Sequence, residues 1–313
     1  MLKFMIAVLT LALAAVSVLG QSQSAPTLRI VTEDPNLPSD LFYGNTKVKP
    51  LRLRPGTNQP ITIDDSDFFV SQHYVDFLNR FPDTSGMGYW TGELNKCAST
   101  DAACLNSRRV GVSAAFFVEN EFQNTGSFVY RLYKGGLARS PVYAEFMPDR
   151  RQVVGGANLD QSKIAFADAF VQRAEFTQAY QSATTAATFV DALTANLKAG
   201  SGVDIAGQRT SLINTYNTGS SMNNSRSLVL REAIENAAFK QSVYYPSFVL
   251  MQYFGYLRRD PDAGGYGFWL DVVTNKEPGN FRGMVCSFIT SREYQERFGT
   301  TVTHTNRDCA NIH

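Results

Sequence analysis

The sequence predicts an all-α protein built from tandem helical units of about sixty residues behind an extended Pro-rich N-terminal arm. Three observations carry the prediction: apolar residues recur at helical spacing, one frame of residues returns four times, and a cluster of prolines precedes the first copy. The chain has 313 residues, 44% apolar and 18% charged, a composition able to fill a core of one to three domains. Lys+Arg 29 against Asp+Glu 28 gives a formal charge of +1, which excludes a strongly basic nucleic-acid binder and an acidic tail protein.

The N-terminal segment has a separate purpose. Residues 1–20 begin with Lys3, continue as a mostly apolar run from Phe4 to Val16 and end in small residues near Gly20, the pattern of a secretory signal peptide. Val18 and Gly20 stand before a cut ahead of Gln21. The run is short for a span of about 20 residues, so cleavage is favoured over an anchor, and no later stretch resembles a transmembrane helix. Residues 21–66 carry Pro26, Pro35, Pro38, Pro50, Pro55 and Pro60 and read as an extended arm with a short strand at Leu51–Leu53.

Asp64-Asp65-Ser66-Asp67 offers several N-cap residues ahead of an apolar run, and the repeats begin there. The head Phe69-Val70…Tyr74…Leu78-Asn79-Arg80-Phe81-Pro82 returns as Phe128-Val129…Tyr133…Leu137-Ala138-Arg139-Ser140-Pro141, and again as Phe248-Val249…Tyr253…Leu257-Arg258-Arg259-Asp260-Pro261. A weaker copy starts at Phe189-Val190, so the starts lie 59, 61 and 59 residues apart. The four units span 67–127, 128–188, 189–247 and 248–299 within a helical region 67–299 of one or two packed domains, followed by a tail over 300–313. Offsets 0, 1, 4, 5, 8 and 9 of each head fall on one helix face, and the proline ends the first helix near Arg80. One such unit has too little core to fold alone, so sequence neighbours are expected to share a continuous apolar seam.

Each head has a matching tail: Ala115-Phe116…Glu121-Phe122, Ala169-Phe170…Glu175-Phe176, Glu232-Ala233…Ala238-Phe239 and Ser287-Phe288…Glu293-Tyr294. The first and fourth units also share a turn, Pro82-Asp83…Gly86…Tyr89-Trp90 against Pro261-Asp262…Gly265…Phe268-Trp269. Proline ends one helix, aspartate caps the next, glycine permits close approach, and the aromatic pair is expected in the core.

Cys97, Cys104, Cys286 and Cys309 form an even set in an exported chain, which favours disulfides over metal or redox chemistry. Three pairings are open; Cys97–Cys104 with Cys286–Cys309 asks least of the fold.

The frame FVxxxYxxxLxRxPDxxGxxYW followed by AF…E[F/Y] resembles the bacterial family catalogued as domain of unknown function 4214, itself similar to phycobilisome linker polypeptides. The likeness covers residues 67–299, sharply in the first and fourth units. It implies an all-helical fold and an extracytoplasmic, non-catalytic role, and it brings no active site with it.

The residues with chemical capacity have structural readings. Arg80/Glu121, Arg139/Glu175 and Arg259/Glu293 occur together in three units and are both missing from the third, where Gly200 and Ala238 stand. Joint presence and joint absence point to an ion pair holding head to tail rather than to a catalytic acid. His73 occupies an offset taken by Leu132 and Leu193 elsewhere, which puts it at the edge of the packing stripe. Asp260-Pro261-Asp262-Ala263-Gly264 has too few ligands for a calcium loop. The Tyr-rich stretch Tyr244-Tyr245…Tyr253…Tyr256 is a candidate exposed face. No cofactor and no metal is expected. The sequence favours a structural or protein-interaction module of the cell envelope or extracellular space, binding envelope protein or polysaccharide, with a glycan binder using exposed aromatics as the alternative.

Overall fold

The computed structural model describes the backbone of three strands, β1 (Leu28–Val31), β2 (Asp40–Tyr43) and β3 (Thr46–Val48), and residues 56–57, 59–299, 301–310 and 312. The expected signal peptide and the Leu51–Leu53 strand lie outside the described residues. The strands form an antiparallel sheet in the order β1-β2-β3, with Leu28 opposite Tyr43 and Leu41 opposite Val48. This departs from a purely extended arm. Runs such as Leu-Arg-Ile-Val and Asp-Leu-Phe-Tyr carry strand-forming residues between the prolines, and the proline count masks them.

The body is all-α. Helices α1 (Ser66–His73), α2 (Thr84–Leu94), α3 (Ala102–Val118) and α4 (Asn120–Asn124) come first. They are followed by α5 (Gly126–Leu137), α6 (Tyr143–Arg150), α7 (Leu159–Phe170) and α8 (Ala174–Ala179). Next come α9 (Ala186–Ser201), α10 (Arg209–Asn217), α11 (Met222–Ile234) and α12 (Ala237–Ser242). The last are α13 (Tyr244–Gln252), α14 (Ala263–Asp271), α15 (Phe281–Ile289) and α16 (Arg292–Gln295). Among the described residues, no helix is long and apolar enough to cross a membrane.

The stripe at offsets 0, 1, 4, 5 and 8 is buried in the first copy as Phe69, Val70, His73, Tyr74 and Phe77. Two heads end in a way the periodicity does not announce. After α1 and after α13 the chain widens into a π-helical turn, Tyr74–Leu78 and Tyr253–Leu257. Asn79, Ala138 and Arg258 then adopt left-handed backbone at φ 55°, 56° and 54°. A non-glycine residue there costs about 1 kcal/mol or more. It ends the helix in the manner of a left-handed cap and leads directly into the following arginine.

Packing follows the order of the repeats only in the middle pair. Residues 67–127 meet 248–299: α3 lies on α15, the two π turns touch, and Phe117 packs edge-to-face on Phe248 at 4.8 Å between centroids. Residues 128–247 form the other pairing, α5 crossing α9 and α11, with α7 against α11. Phe146 of α6 against Phe254 joins the two at 5.4 Å, and one apolar cluster runs from Ile63 to Ile312. The expected seam between sequence neighbours is thus kept between 128–188 and 189–247, whereas the first unit closes on the last. Gly200 shows why the third copy lacks its arginine. A Cβ there would sit 2.5 Å from the Lys134 carbonyl oxygen and 3.1 Å from Ala138 Cα, so the α5–α9 crossing admits no side chain.

Candidate functional site

The two matching turns are the part of the surface with repeated construction. In each, an aspartate accepts from the backbone N–H three residues on: Asp83 Oδ1 from Gly86 at 2.8 Å and Asp262 Oδ1 from Gly265 at 2.7 Å. Pro82 and Pro261 precede these caps. The glycine is required because the Tyr74 hydroxyl, and the Tyr253 hydroxyl in the second turn, occupy the space a Cβ would need. Over each tyrosine ring lies the repeated guanidinium: Arg80 on Tyr74 at 4.7 Å, Arg139 on Tyr133 at 5.1 Å and Arg259 on Tyr253 at 5.4 Å.

The same arginines fork onto the tail glutamates. Arg80 Nε and Nη2 donate to Glu121 at 2.6 and 2.7 Å, Arg139 Nε and Nη2 to Glu175 at 2.7 and 2.5 Å, and Arg259 Nε and Nη2 to Glu293 at 2.6 and 3.0 Å. Arg139 also donates to Glu145 through Nη1 and Nη2 at 2.9 and 2.8 Å. The geometry is bidentate, but the Arg259 and Glu293 side chains are 42% and 46% exposed, so solvent screens most of the attraction. We expect Arg259→Ala to cost about 1 kcal/mol, or roughly 3 °C in melting temperature. Calorimetry of the Arg259→Ala, Glu293→Ala and double variants checks it: additive losses would mean that the two side chains do not interact.

The aromatic pairs split between core and solvent. Trp90 rests on Phe116 at 5.5 Å and Trp269 on Phe288 at 5.9 Å, both half-buried. Their neighbours Tyr89 and Phe268, expected in the core, are 60% and 53% exposed. Each lies edge-on against its tryptophan, at 4.8 and 5.1 Å. Successive residues on a helix point about 100° apart, and α2 and α14 turn the tryptophan of each pair inward and its neighbour to solvent. In the Tyr-rich stretch, by contrast, Tyr253 and Tyr256 are buried and Tyr244 and Tyr245 half-buried against the core. That stretch is packing, not an exposed face.

His73 lies deeper than the edge of the stripe. Its Nδ1 donates to the Phe69 carbonyl at 2.7 Å, which leaves Nε2 to accept from Ser113 Oγ at 2.6 Å. Ser113 Oγ in turn accepts from the Tyr256 hydroxyl. Burial pushes the imidazole down to about 4, so it stays neutral at ordinary pH and all three groups are used inside the core. Asp260 is also engaged, accepting from the Tyr143 N–H at 2.7 Å.

Both cysteine pairs stand at disulfide distance, Cys97–Cys104 and Cys286–Cys309 each with Cα atoms 5.8 Å apart. The first closes the loop between α2 and α3; the second fastens the C-terminal tail to α15. The tail is held again by a cluster the sequence does not advertise. Asp64 Oδ1 accepts from Arg109 Nη1 at 2.6 Å and from His304 Nε2 at 2.7 Å, and His304 Nδ1 donates to Asp308 at 3.1 Å. The hydrogen bond to Asp64 outweighs burial and raises the His304 pKa above 6.5. Below that value imidazolium is favoured folded or unfolded, so the contribution is complete; it fades as pH rises through the higher folded value. We expect His304 ring resonances to titrate above 6.5 and exchange protection of 301–310 to weaken from pH 6 to pH 9. Titration at or below 6.5 would refute the linkage.

Compared with family models, curated proteins and solved structures, the chain gives no match.

Proposed function

We propose that this protein is an exported, non-catalytic structural or protein-interaction module of the bacterial cell envelope or extracellular space, built from tandem helical units and acting by surface recognition. The observation that carries the reading is the matched exposure of Tyr89 and Phe268, one aromatic ring at the same place in each of two equivalent turns. Rings held rigid by a tryptophan behind them give apolar contact area at little entropic cost. The groups that suggest chemistry in the sequence are engaged elsewhere: the arginines by glutamates, His73 by its core hydrogen bonds. Two cystines support an oxidising compartment. The same two rings support glycan binding as the second reading.

The test is retention of the purified chain on cell-envelope fractions separated into protein and polysaccharide, repeated with Tyr89→Ala/Phe268→Ala. Retention on protein that survives glycosidase and falls at least about tenfold in the double variant supports the interaction module. Retention on polysaccharide moves the reading to glycan binding. Retention indifferent to the double variant overturns the part assigned to the rings.

A further inference from the structure

Away from the turns, a cavity of about 310 Å³ opens between the α4–α5 corner and the α11–α13 corner. Its inner wall is Arg131, 4% exposed, and Ser127, 3% exposed. A guanidinium so far from water ordinarily has all its donors engaged. Here Nη2 donates to Glu235 Oε1 at 2.7 Å and Nη1 only distantly to the Gln123 carbonyl at 3.3 Å. Arg131 Nε and Ser127 Oγ have no hydrogen-bond partner among the described residues. Glu235 is itself shared, accepting from Lys240 Nζ at 3.1 Å, and its side chain is 40% exposed.

Charge around the cavity is unbalanced. Lys163, whose ammonium lies over the Phe128 ring, feels Glu235, Arg131, Lys240 and Asp160. Of the groups that line the cavity, two cations, Arg131 and Lys240, face one carboxylate, Glu235, and the surplus is one positive charge. Glu235 takes only part of the guanidinium fork, while Nε and the nearby serine hydroxyl are enclosed and unpaired among the described residues. Were Glu235 to turn outward with Lys240, a second carboxylate could take its place on Nη2, with the unpaired Nε beside it. Gln241 and Tyr244 also line the wall, side chains that carry an amide and a phenol able to pair with hydroxyl groups. The volume is at the small end for ligand sites, enough for one sugar ring.

We infer that this cavity binds a small hydroxylated monocarboxylate, a sugar acid of the hexuronate type, with Glu235 as an internal placeholder for the ligand's carboxylate. This site is independent of the exposed rings and of the interaction reading.

Isothermal titration of the intact exported chain with D-galacturonate at low salt tests it, with galactose, acetate and inorganic phosphate as comparison ligands. Galacturonate is expected to bind at least about tenfold tighter than galactose, since charge-assisted hydrogen bonds have no counterpart in the neutral sugar. Glu235→Gln, at a half-exposed position, is expected to tighten galacturonate by about threefold or more, and Lys240→Ala to weaken it by about threefold. A merely structural Arg131–Glu235 pair would give no gain in affinity on Glu235→Gln. Absence of galacturonate binding, or an unchanged affinity in Glu235→Gln, overturns the proposal. Acetate binding as tightly as galacturonate overturns the sugar assignment, and phosphate binding more tightly overturns the carboxylate assignment.

Discussion

Replacing Asp76 with alanine is expected to remove about 3–5 kcal/mol of stability. Asp76 is almost fully buried and accepts from Arg297 at 3.0 and 2.9 Å, Arg258 at 3.1 Å and Gln72 at 2.9 Å. Its own carbonyl accepts from Arg150. Burial alone would raise its pKa, but Arg297 and Arg258 reverse the shift and hold the carboxyl below 3.8. Its contribution is therefore present above that value and is lost as pH falls through the folded pKa. Alanine removes the carboxylate that Arg297 and Arg258 share and leaves a void. Guanidinium titration of Asp76→Ala beside Asp76→Asn separates charge from volume: the asparagine variant is expected to lose most of the same stability. A loss below about 1 kcal/mol in both would mean that the arginines reach water unaided.

The second large effect belongs to the tail. Cys286 and Cys309 are 23 residues apart, and breaking their link by the paired change to alanine is expected to cost about 3 kcal/mol through the freed denatured chain. The Cys97–Cys104 link spans 7 residues, for which the same reasoning gives about 2 kcal/mol. The two differ more in location than in loop entropy. Losing the first frees the segment that carries His304 to Asp64, so exchange protection should fall across 301–310 as well as global stability. Losing the second should leave that protection intact. Equal losses of protection from both variants would contradict this division.

The sequence makes some of these arrangements readable and hides others, for identifiable reasons. The Arg–Glu pairs and the Asp–Gly turns repeat, so internal copies serve as controls on one another; Gly200 and Ala238 are informative because both partners vanish together. Asp76 has no such support. Its offset holds Gly135, Asn196 and Gly255 in the other copies, and its arginines are 182 and 221 residues away. Tandem spacing also suggests that each copy leans on the next. It cannot say that the first closes on the last, because the apolar stripe is the same whichever copy covers it. Tyr89 and Phe268 read as core residues for a related reason: adjacent aromatics reveal apolar character but not which of the two turns inward. Arg131 carries no repeated signal, and its cavity exists only once α11–α13 are folded against α5.

First-to-last closure also sets a timetable. The ring face of the first head is covered by Tyr256 against Phe77 at 4.9 Å, and Asp64 waits for His304, 240 residues later. A chain delivered from its N-terminus must keep that face uncovered while most of the polypeptide is still arriving. Residues 128–247 pair within themselves and have no such wait. Long-range closure of this kind slows the final step and prolongs exposure of apolar surface. The middle helices are thus placed to form first, with the two ends joining over them last.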